Sequence, residues 1–178
     1  MNIGFVLTSA NSNIDNAILE VEKLAIKNKI FIITSFNCFK ILDNNQKEKL
    51  KKISQNGICN SIHKIKKIKN LDLIVLEPCT SNSLSKLTNN IIDTPALMIS
   101  KLYLNKEIPI IIGISSFNGI SSSLESIGKL INTKNIFIVP FRQINPITKP
   151  NYLVSDFGLT EKTIEYALKN IQIQPILI

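Results

Sequence analysis

Short apolar runs alternate with longer segments of helical period along this chain. Five runs rich in Ile and Val lie at 2–8, 29–34, 72–78, 108–115 and 135–141. Runs that stay apolar at consecutive positions are typical of strands buried on both faces of a parallel sheet. Between the first two runs, Ile14, Ile18 and Val21 recur at helical spacing, as in a helix that connects parallel strands. The pattern predicts an α/β fold of three layers, Rossmann-like or flavodoxin-like, with a mainly parallel sheet and helices on both faces.

Local signals mark where several helices begin. Ser12 or Asn13 is a candidate N-cap for the first helix, because either side chain can accept a hydrogen bond from a backbone N–H of the first turn. Thr94 followed by Pro95 predicts a second helix start. Thr160 predicts the start of a C-terminal helix.

The segment 139–153 is interrupted by Pro140, Pro146 and Pro150. Proline lacks a backbone N–H and fixes φ, so these residues exclude a regular helix or a central strand. We expect a long ordered loop, and such loops are often functional. No repeat or linker-like composition divides the chain, so residues 1–178 are predicted to form a single domain.

Lysine is concentrated in the segment 43–69, which holds eight of the 20 lysines. A weak strand is expected near 58–62. Apolar residues recur at every third or fourth position, at Leu50, Ile53, Ile65 and Ile68. This spacing favours helices with a lysine face in solvent. The alternative is that the lysines attract an anionic partner, either a dianionic substrate or an acidic protein.

The charge of the chain is basic, with 21 Lys+Arg against 13 Asp+Glu and a formal net charge of +8. With 44% of its residues apolar, the chain has the composition of a folded protein. Every cation except Arg142 is a lysine. Proteins that read nucleic-acid sequence rely on the bidentate guanidinium group of arginine, so we expect no nucleic-acid partner.

Membrane, secretory and metal-binding signals are missing from the sequence. The apolar runs fall far short of the roughly 20 residues that a membrane-spanning helix needs. The N-terminal MNIGFVLT has the pattern of a strand and not of a signal peptide, so a cytoplasmic location without a membrane partner is expected. Cys38, Cys59 and Cys79 are too scattered for a disulfide framework, and His63 is the only histidine. No metal site is therefore predicted.

Hydroxyl and amide side chains follow four of the predicted strands. The loops are TSANSN at 8–13, TSFN at 34–37, PCTSNS at 78–83 and SSFNGISSS at 115–123. In an open parallel sheet, ligands bind at the carboxyl ends of the strands. Hydroxyl groups together with helix N-termini bind phosphate, although each loop taken alone has the composition of an ordinary cap or turn. Four such loops at one edge predict a site for a phosphate-bearing ligand.

Known nucleotide motifs narrow the ligand class. The chain lacks G-x-G-x-x-G, since Gly4 precedes the first loop, and it lacks a Walker-type loop. A mononucleotide is therefore favoured over NAD or ATP, and FMN fits, with Asn82, Phe36 or Phe117 as candidates for a slot around its ring. The absence of G-x-S-x-G disfavours classical hydrolysis. Glu77 ends a predicted strand, where it either faces a pocket or pairs with a lysine.

Several stretches carry a family resemblance. EPCTSNSLSKLTNNIIDTPALMISKLYLNKEIPIIIGIS at 77–115 resembles the superfamily of homo-oligomeric FMN-binding decarboxylases and flavin prenyltransferases. IGFVLT at 3–8, NTKNIFIVPF at 132–141, KPN at 149–151 and IQPILI at 173–178 are similar to a narrower family within it, the B subunits of dipicolinate synthase. The similarity extends over nearly the whole chain.

The resemblance implies a function in spore formation. Members of this narrower family would act with a separate A subunit, which binds NADP, to oxidise dihydrodipicolinate to dipicolinate. A Rossmann-like fold, bound FMN and a homo-oligomeric assembly are implied as well. Two alternatives stay open, a stand-alone FMN-dependent decarboxylase or flavin prenyltransferase, and a non-catalytic scaffold that keeps the fold.

The resemblance also assigns cofactor-binding positions. Contacts with the FMN phosphate and ribityl groups would come from Thr8, Ser9, Asn11, Ser35, Thr80, Ser81, Asn82 and Ser83. The first loop departs from the family pattern T-G-S or T-G-A-S, because Ser9 replaces the glycine that lets backbone approach phosphate closely. The histidine base of the cysteine decarboxylases has no counterpart here, since His63 follows no matching motif.

Overall fold

A computed structural model describes residues 1–9 and 13–178, and its centre is an eight-stranded sheet. The strands are β1 (Asn2–Leu7), β2 (Lys29–Thr34), β3 (Ser54–Cys59), β4 (Leu73–Cys79), β5 (Ile110–Ser116), β6 (Ile136–Ile138), β7 (Phe141–Gln143) and β8 (Leu153–Ser155). They are ordered β3-β2-β1-β4-β5-β8-β7, and β6 also pairs with β5. The first six strands pair in parallel, so their carboxyl ends share one edge.

Helices cover both faces of the sheet. They are α1 (Ile14–Ala25), α2 (Phe36–Ile41), α3 (Asn44–Ile53), α4 (Ile62–Ile65), α5 (Ser81–Thr88), α6 (Pro95–Leu104), α7 (Leu124–Ile131) and α8 (Thr160–Ala167). A π-helical turn spans Gly119–Ser123 and a 3-10 turn spans Phe157–Leu159. The predicted three-layer, flavodoxin-like α/β fold is confirmed. Within the described residues, no helix is long and apolar enough to span a bilayer.

Successive side chains of the central strands point to opposite faces of the sheet and pack into two separate hydrophobic cores. Phe5 of β1 packs with Ile18 and Leu24 of α1 on one face of the sheet. Its neighbour Val6 joins Leu84 of α5 and Leu97 of α6 on the other face. Full burial of each such side chain contributes about 1.5–3 kcal/mol, and this two-sided burial explains the unbroken apolar runs in the sequence.

The predicted strand 135–141 is wrong in its C-terminal half. β6 ends at Ile138, and Pro140, which has no N–H to donate to a ladder, separates it from β7. The predicted loop 139–153 is wrong at both ends, because β7 and β8 form an antiparallel pair in which Arg142 lies opposite Val154. Residues 139–140 and the connection between β7 and β8 are irregular, and that connection contains two of the three prolines.

The segment 43–69 contains two helices, as predicted, but its strand comes earlier than expected, at Ser54–Cys59. α3 begins with a capping box, in which Asp43 accepts from Gln46 N (2.7 Å) and the Gln46 side chain accepts from Asp43 N (3.0 Å). Lys51 and Lys52 in its last turn favour the helix electrostatically. β3 pairs with β2 in a register that shifts between Ile30 and Ile32.

Candidate functional site

The loops after β1, β2 and β4 converge on one cavity at the carboxyl edge of the sheet, the carboxyl-edge pocket. Its lining includes six of the residues assigned to FMN by resemblance, namely Thr8, Ser9, Ser35, Thr80, Asn82 and Ser83. The cavity measures about 90 Å³. A water needs at least about 10–15 Å³ of such space, so the pocket has room for a group of several heavy atoms such as a phosphate.

The N-terminus of α5 forms one wall of the pocket. Thr80 is its N-cap, and the Thr80 hydroxyl accepts a hydrogen bond from Ser83 N (3.4 Å) and lies 3.2 Å from Ser83 Oγ. The N–H groups of the first helical turn have no partner within a helix, and the helix dipole makes this end positive. The wall therefore presents N–H and hydroxyl donors to an anion.

Thr8 connects the loop after β1 to the loop after β4. Its hydroxyl donates to Pro78 O (2.7 Å) and accepts from Thr80 N (3.1 Å), and its own N–H also donates to Pro78 O (3.2 Å). The side chain is buried. Since its hydroxyl hydrogen is already donated, Thr8 positions the loop at Thr80 and has no hydrogen left for a ligand.

Ser35 has a different balance of donors and acceptors. It is the N-cap of α2, and its hydroxyl oxygen accepts from Cys38 N (3.1 Å). A capping hydroxyl that accepts keeps its hydrogen, so Ser35 can cap the helix and donate to a ligand at once. Burial raises the pKa of the Cys38 thiol to about 12, which makes that thiol inert.

Lys86 lies in the pocket lining, and sequence reasoning did not single it out. Its Nζ is 2.5 Å from Asp93 Oδ2, and 26% of its side chain is exposed. The residue follows Ser83 by one helical turn on α5, so both side chains share one face of the helix. The three-residue spacing from Ser83 was the only sign in the sequence that Lys86 belongs to the site. It places an ammonium group beside the loop 78–83, which was predicted to bind phosphate.

Ser9, the residue that replaces the family's glycine, lines the pocket. Among the described residues, the non-glycine residues with positive φ are Asn70, Asn90, Glu107, Asn135, Asn145 and Asn170. Ser9 is not one of them, so its backbone conformation does not require glycine. Asn11, which was assigned to the same loop, lies outside the described residues.

Ser81 is not among the residues that line the pocket, and its side chain begins a chain of hydroxyls. Its Oγ lies 2.6 Å from Ser116 Oγ, which in turn lies 2.9 Å from Ser123 Oγ. Ser116 ends β5, Ser123 ends the π-helical turn, and both are buried. The chain joins the loop after β4 to the loop after β5, so Ser81 is separated from the other predicted cofactor contacts.

Asn13 belongs to a second polar group at the end of β5. Its side chain donates to Ser115 Oγ (2.8 Å) and to Tyr152 OH (2.6 Å), and it makes no capping hydrogen bond to α1. Asn13 is the N-cap residue of α1, one of the two predicted candidates, but its side chain is used elsewhere; Ser12, the other candidate, lies outside the described residues. Phe117 stacks on Tyr152 with ring centroids 4.4 Å apart, whereas Phe36 lines the carboxyl-edge pocket.

The comparisons with known proteins identify the family. The model of the family described as Flavoprotein matches residues 1–159. The chain belongs to the Flavoprotein family. The chain is also similar to a crystal structure of the B subunit of dipicolinate synthase from Bacillus halodurans, with a TM-score of 0.90 and 31% identity over 99% of this chain and 95% of that one.

Two further relatives of this Flavoprotein-family chain differ in how much they share with it. The B subunit of dipicolinate synthase from Bacillus subtilis (strain 168) is 42% identical over 108 residues, which cover 61% of this chain and 54% of that protein. The match thus spans about half of that relative's length. A dodecameric FMN-dependent Ubix-like decarboxylase from Escherichia coli O157:H7 is 10% identical, with a TM-score of 0.66 over 79% of this chain and 80% of that one, and it shows the fold alone.

Glu77 of this Flavoprotein-family chain lies directly before the pocket loop, in the interior. It is fully buried, and its Oε2 accepts a hydrogen bond from Thr160 Oγ1 (2.6 Å). Its Oε1 has no partner among the described residues. Burial raises the pKa of this carboxyl well above its ordinary value. The expectation that Glu77 faces a pocket or pairs with a lysine is wrong, since a hydroxyl is its partner.

His63 lies on α4 and is exposed, away from the carboxyl-edge pocket. Across residues 1–9 and 13–178, no group of three or more His, Cys, Asp and Glu side chains is arranged to hold a metal ion. Nor does any carboxylate or imidazole occur among the described residues that line the pocket. The donors around it suit a phosphate group.

Proposed function

We propose that this chain binds FMN at the carboxyl-edge pocket and acts as the B subunit of a dipicolinate synthase, with a partner A subunit that binds NADP. The reaction would be the oxidation of dihydrodipicolinate to dipicolinate during sporulation. Similarity to the B subunit of dipicolinate synthase from Bacillus halodurans, at 31% identity over 99% of this chain, carries the proposal.

The donors of the pocket suit a phosphate monoester. In this proposal the phosphate accepts hydrogen bonds from the first-turn N–H groups of α5 and from the Ser35 hydroxyl, and Lys86 offsets its charge. The rest of FMN would extend beyond the cavity of about 90 Å³. When bound, FMN supplies a ring that can accept or pass on a hydride.

A second protein is part of the proposal because no base occurs among the described residues that line the pocket. Oxidation of dihydrodipicolinate removes one hydride and one proton, and in this proposal NADP⁺ on the A subunit accepts the hydride. The described residues that line the pocket include no carboxylate or imidazole to take the proton. The same finding disfavours a stand-alone decarboxylase that uses a histidine base, since His63 is on α4.

Assembly and location belong to the proposal as well. We infer a homo-oligomer in the cytoplasm, and the support for assembly is the relative from Escherichia coli O157:H7 that is described as dodecameric. Sedimentation of the purified chain tests this inference, because a monomer at micromolar concentration would contradict it.

The cofactor is tested by titration with FMN, followed by quenching of flavin fluorescence. Ser83→Ala and Asn82→Ala should each weaken FMN binding about tenfold, since a hydrogen bond to a charged group contributes about 1.5 kcal/mol. Ser85→Ala, which removes an exposed hydroxyl of the same helix, is the control and should leave the affinity unchanged. A chain that takes up no FMN would refute the cofactor proposal.

The reaction is tested with purified A subunit, NADP and dihydrodipicolinate. Addition of this chain should increase the rate of dipicolinate formation, and an unchanged rate would refute the role. A decarboxylase would turn over a carboxylate substrate without the A subunit. A scaffold would increase the rate equally with and without FMN, so the three functions give different results.

A further inference from the structure

The positive charge of the molecule is concentrated at one edge of the sheet. Residues 43–69, here called the lysine-rich edge, comprise α3, β3, α4 and their connections. This segment contains eight lysines and two acidic residues, so it carries +6 of the chain's formal charge of +8. Lys51 pairs with Glu48 (2.8 Å), and the other seven lysines form no salt bridge with any described residue. The edge therefore presents a largely uncompensated positive charge.

The strand at this edge has one unpaired side. β3 is the terminal strand of the described sheet and pairs only with β2. Its own residues, Ser54–Cys59, include no charged side chain. Gly57 has φ +66°, and a Cβ built on it would meet nothing within 4 Å. Gly57 lies in the stretch where the register of β3 against β2 shifts, as glycine in a bulge often does, and the space beside it is open.

A cavity of about 400 Å³ lies beside this strand. Phe31, Ile58 and Ile68 supply apolar lining, and Lys64 and Lys67 contribute to the wall. Both lysines are exposed and without a carboxylate partner in the described part of the chain. The cavity is as large as typical ligand pockets, about 300–1,000 Å³, and it combines apolar surface with two ammonium groups.

We infer that the lysine-rich edge docks an extended acidic segment of a partner protein. The segment adds as a strand beside β3 and places an apolar side chain in the cavity near Lys64 and Lys67. Main-chain hydrogen bonds supply affinity in this mode, and side-chain pockets supply specificity. The inference rests on the proposed function in one respect, because it identifies this partner as the A subunit.

Charge decides between the possible occupants of the edge. If a second copy of this chain docked there through its own lysine-rich edge, two segments that each carry a formal charge of +6 would lie side by side. Electrostatic repulsion opposes that pairing. Nucleic acid is disfavoured because the segment contains lysines and no arginine, so it offers no guanidinium fork to a phosphate or a base. An acidic polypeptide satisfies the charge, the open strand and the apolar cavity together.

Docking at this edge is independent of the carboxyl-edge pocket. The residues that line the two cavities are entirely different. Variants of the lysine-rich edge should therefore change partner binding without changing the affinity for FMN, which separates a docking defect from a damaged fold.

The test compares two charge reversals of equal size, measured with purified A subunit. Lys64→Glu with Lys67→Glu should weaken the affinity for the A subunit at least tenfold in calorimetry and keep FMN affinity within twofold. Lys162→Glu with Lys169→Glu, on and just after α8, makes the same change in net charge at exposed positions and should leave binding within twofold. Binding of the natural chain should weaken as salt rises from 50 to 300 mM, by about tenfold or more.

The outcomes separate the inference from the proposed function. If the natural chain binds and stimulates the A subunit while both double variants do the same, the docking inference is wrong and the proposed function stands. If the natural chain neither binds nor stimulates the A subunit, both are wrong. A short DNA duplex that displaces the A subunit, and that binds the natural chain but not the Lys64/Lys67 variant, would assign the edge to nucleic acid and overturn the inference.

Discussion

The carboxyl-edge pocket and the lysine-rich edge both offer positive groups to an anion, but they are built differently. In the pocket the donors are fixed by their own hydrogen bonds, as Thr80 is by Ser83 N, and the single ammonium group, on Lys86, already pairs with Asp93. At the lysine-rich edge seven lysines have no salt-bridge partner among the described residues. One region presents donors already oriented by hydrogen bonds, and the other presents ammonium groups without salt-bridge partners among the described residues.

The difference predicts different kinds of recognition. Fixed N–H and hydroxyl donors favour one geometry of the bound group, because their orientation is set before binding. Flexible lysines attract any anion and act through salt-dependent, long-range forces that affect association rate more than geometry. Paired substitutions, one in or behind the pocket and one at the lysine-rich edge, test this contrast.

The largest expected effect is on the free energy of unfolding, and it comes from substituting one glycine in β5, behind the pocket, and one in β3, at the lysine-rich edge. Gly113→Ala in β5 places a Cβ within 2.5–2.9 Å of the Glu77 side chain and should lower the free energy of unfolding by about 3 kcal/mol. Gly57→Ala in β3 meets nothing but has φ +66°, so about 1 kcal/mol is expected. Urea denaturation measures both, and equal losses would contradict the difference in packing.

The next effect concerns the two kinds of lysine. Lys86→Gln should weaken FMN binding about 30-fold, because a charged hydrogen bond to phosphate contributes about 2 kcal/mol. Lys64→Gln, at the lysine-rich edge, should change FMN affinity less than twofold. Fluorescence titration at low salt measures both variants. If the two substitutions weaken FMN equally, the lysines act through net charge and not through position.

The smallest effect of the three, when taken per pH unit, is expected from two glutamates whose pKa values move in opposite directions. Burial raises the pKa of Glu77 above its ordinary 4.5, so the folded state binds more protons than the unfolded state at higher pH. The natural chain should therefore lose stability relative to Glu77→Gln as pH rises above about 4.5, by up to about 1.4 kcal/mol per pH unit, until the raised pKa is passed.

Glu48 provides the control for that pH dependence. The hydrogen bond and charge of Lys51 lower the pKa of Glu48, so any contribution would be lost as pH falls and not as it rises. Glu48 is exposed, and Glu48→Gln should cause no measurable change. Thermal unfolding from pH 4 to 8 distinguishes the variants, and a flat Glu77→Gln difference would show that Glu77 is not protonated in the fold.

The sequence predicted features that depend on local pattern. The five apolar runs located five of the six parallel strands, although the last run extends beyond the end of β6, and Thr94 caps the helix that Pro95 begins. The carboxyl-edge pocket followed from topology, because parallel strands bring their carboxyl ends together whatever the intervening helices contain. Six residues assigned by resemblance therefore line one cavity.

Features that depend on distant contacts were not predictable. Asn13 had the pattern of a cap, yet its partners Ser115 and Tyr152 lie 102 and 139 residues away. β3 has the sequence SQNGIC, which lacks a strand pattern, and it forms through pairing with β2. In the sequence, Lys86 has the pattern of an ordinary surface lysine. Its position in the pocket depends on how α5 is oriented against the sheet, which the local sequence does not determine.

The serine chain from Ser81 through Ser116 to Ser123 has a directional consequence. Each hydroxyl has one hydrogen to donate, so the direction of one hydrogen bond in the chain restricts the direction of the next. If Ser116 donates to Ser81, its one hydrogen is used, and Ser123 must then donate to Ser116. The hydroxyl orientations at the start of α5 and in the π-helical turn are thereby coupled, at residues that do not line the carboxyl-edge pocket.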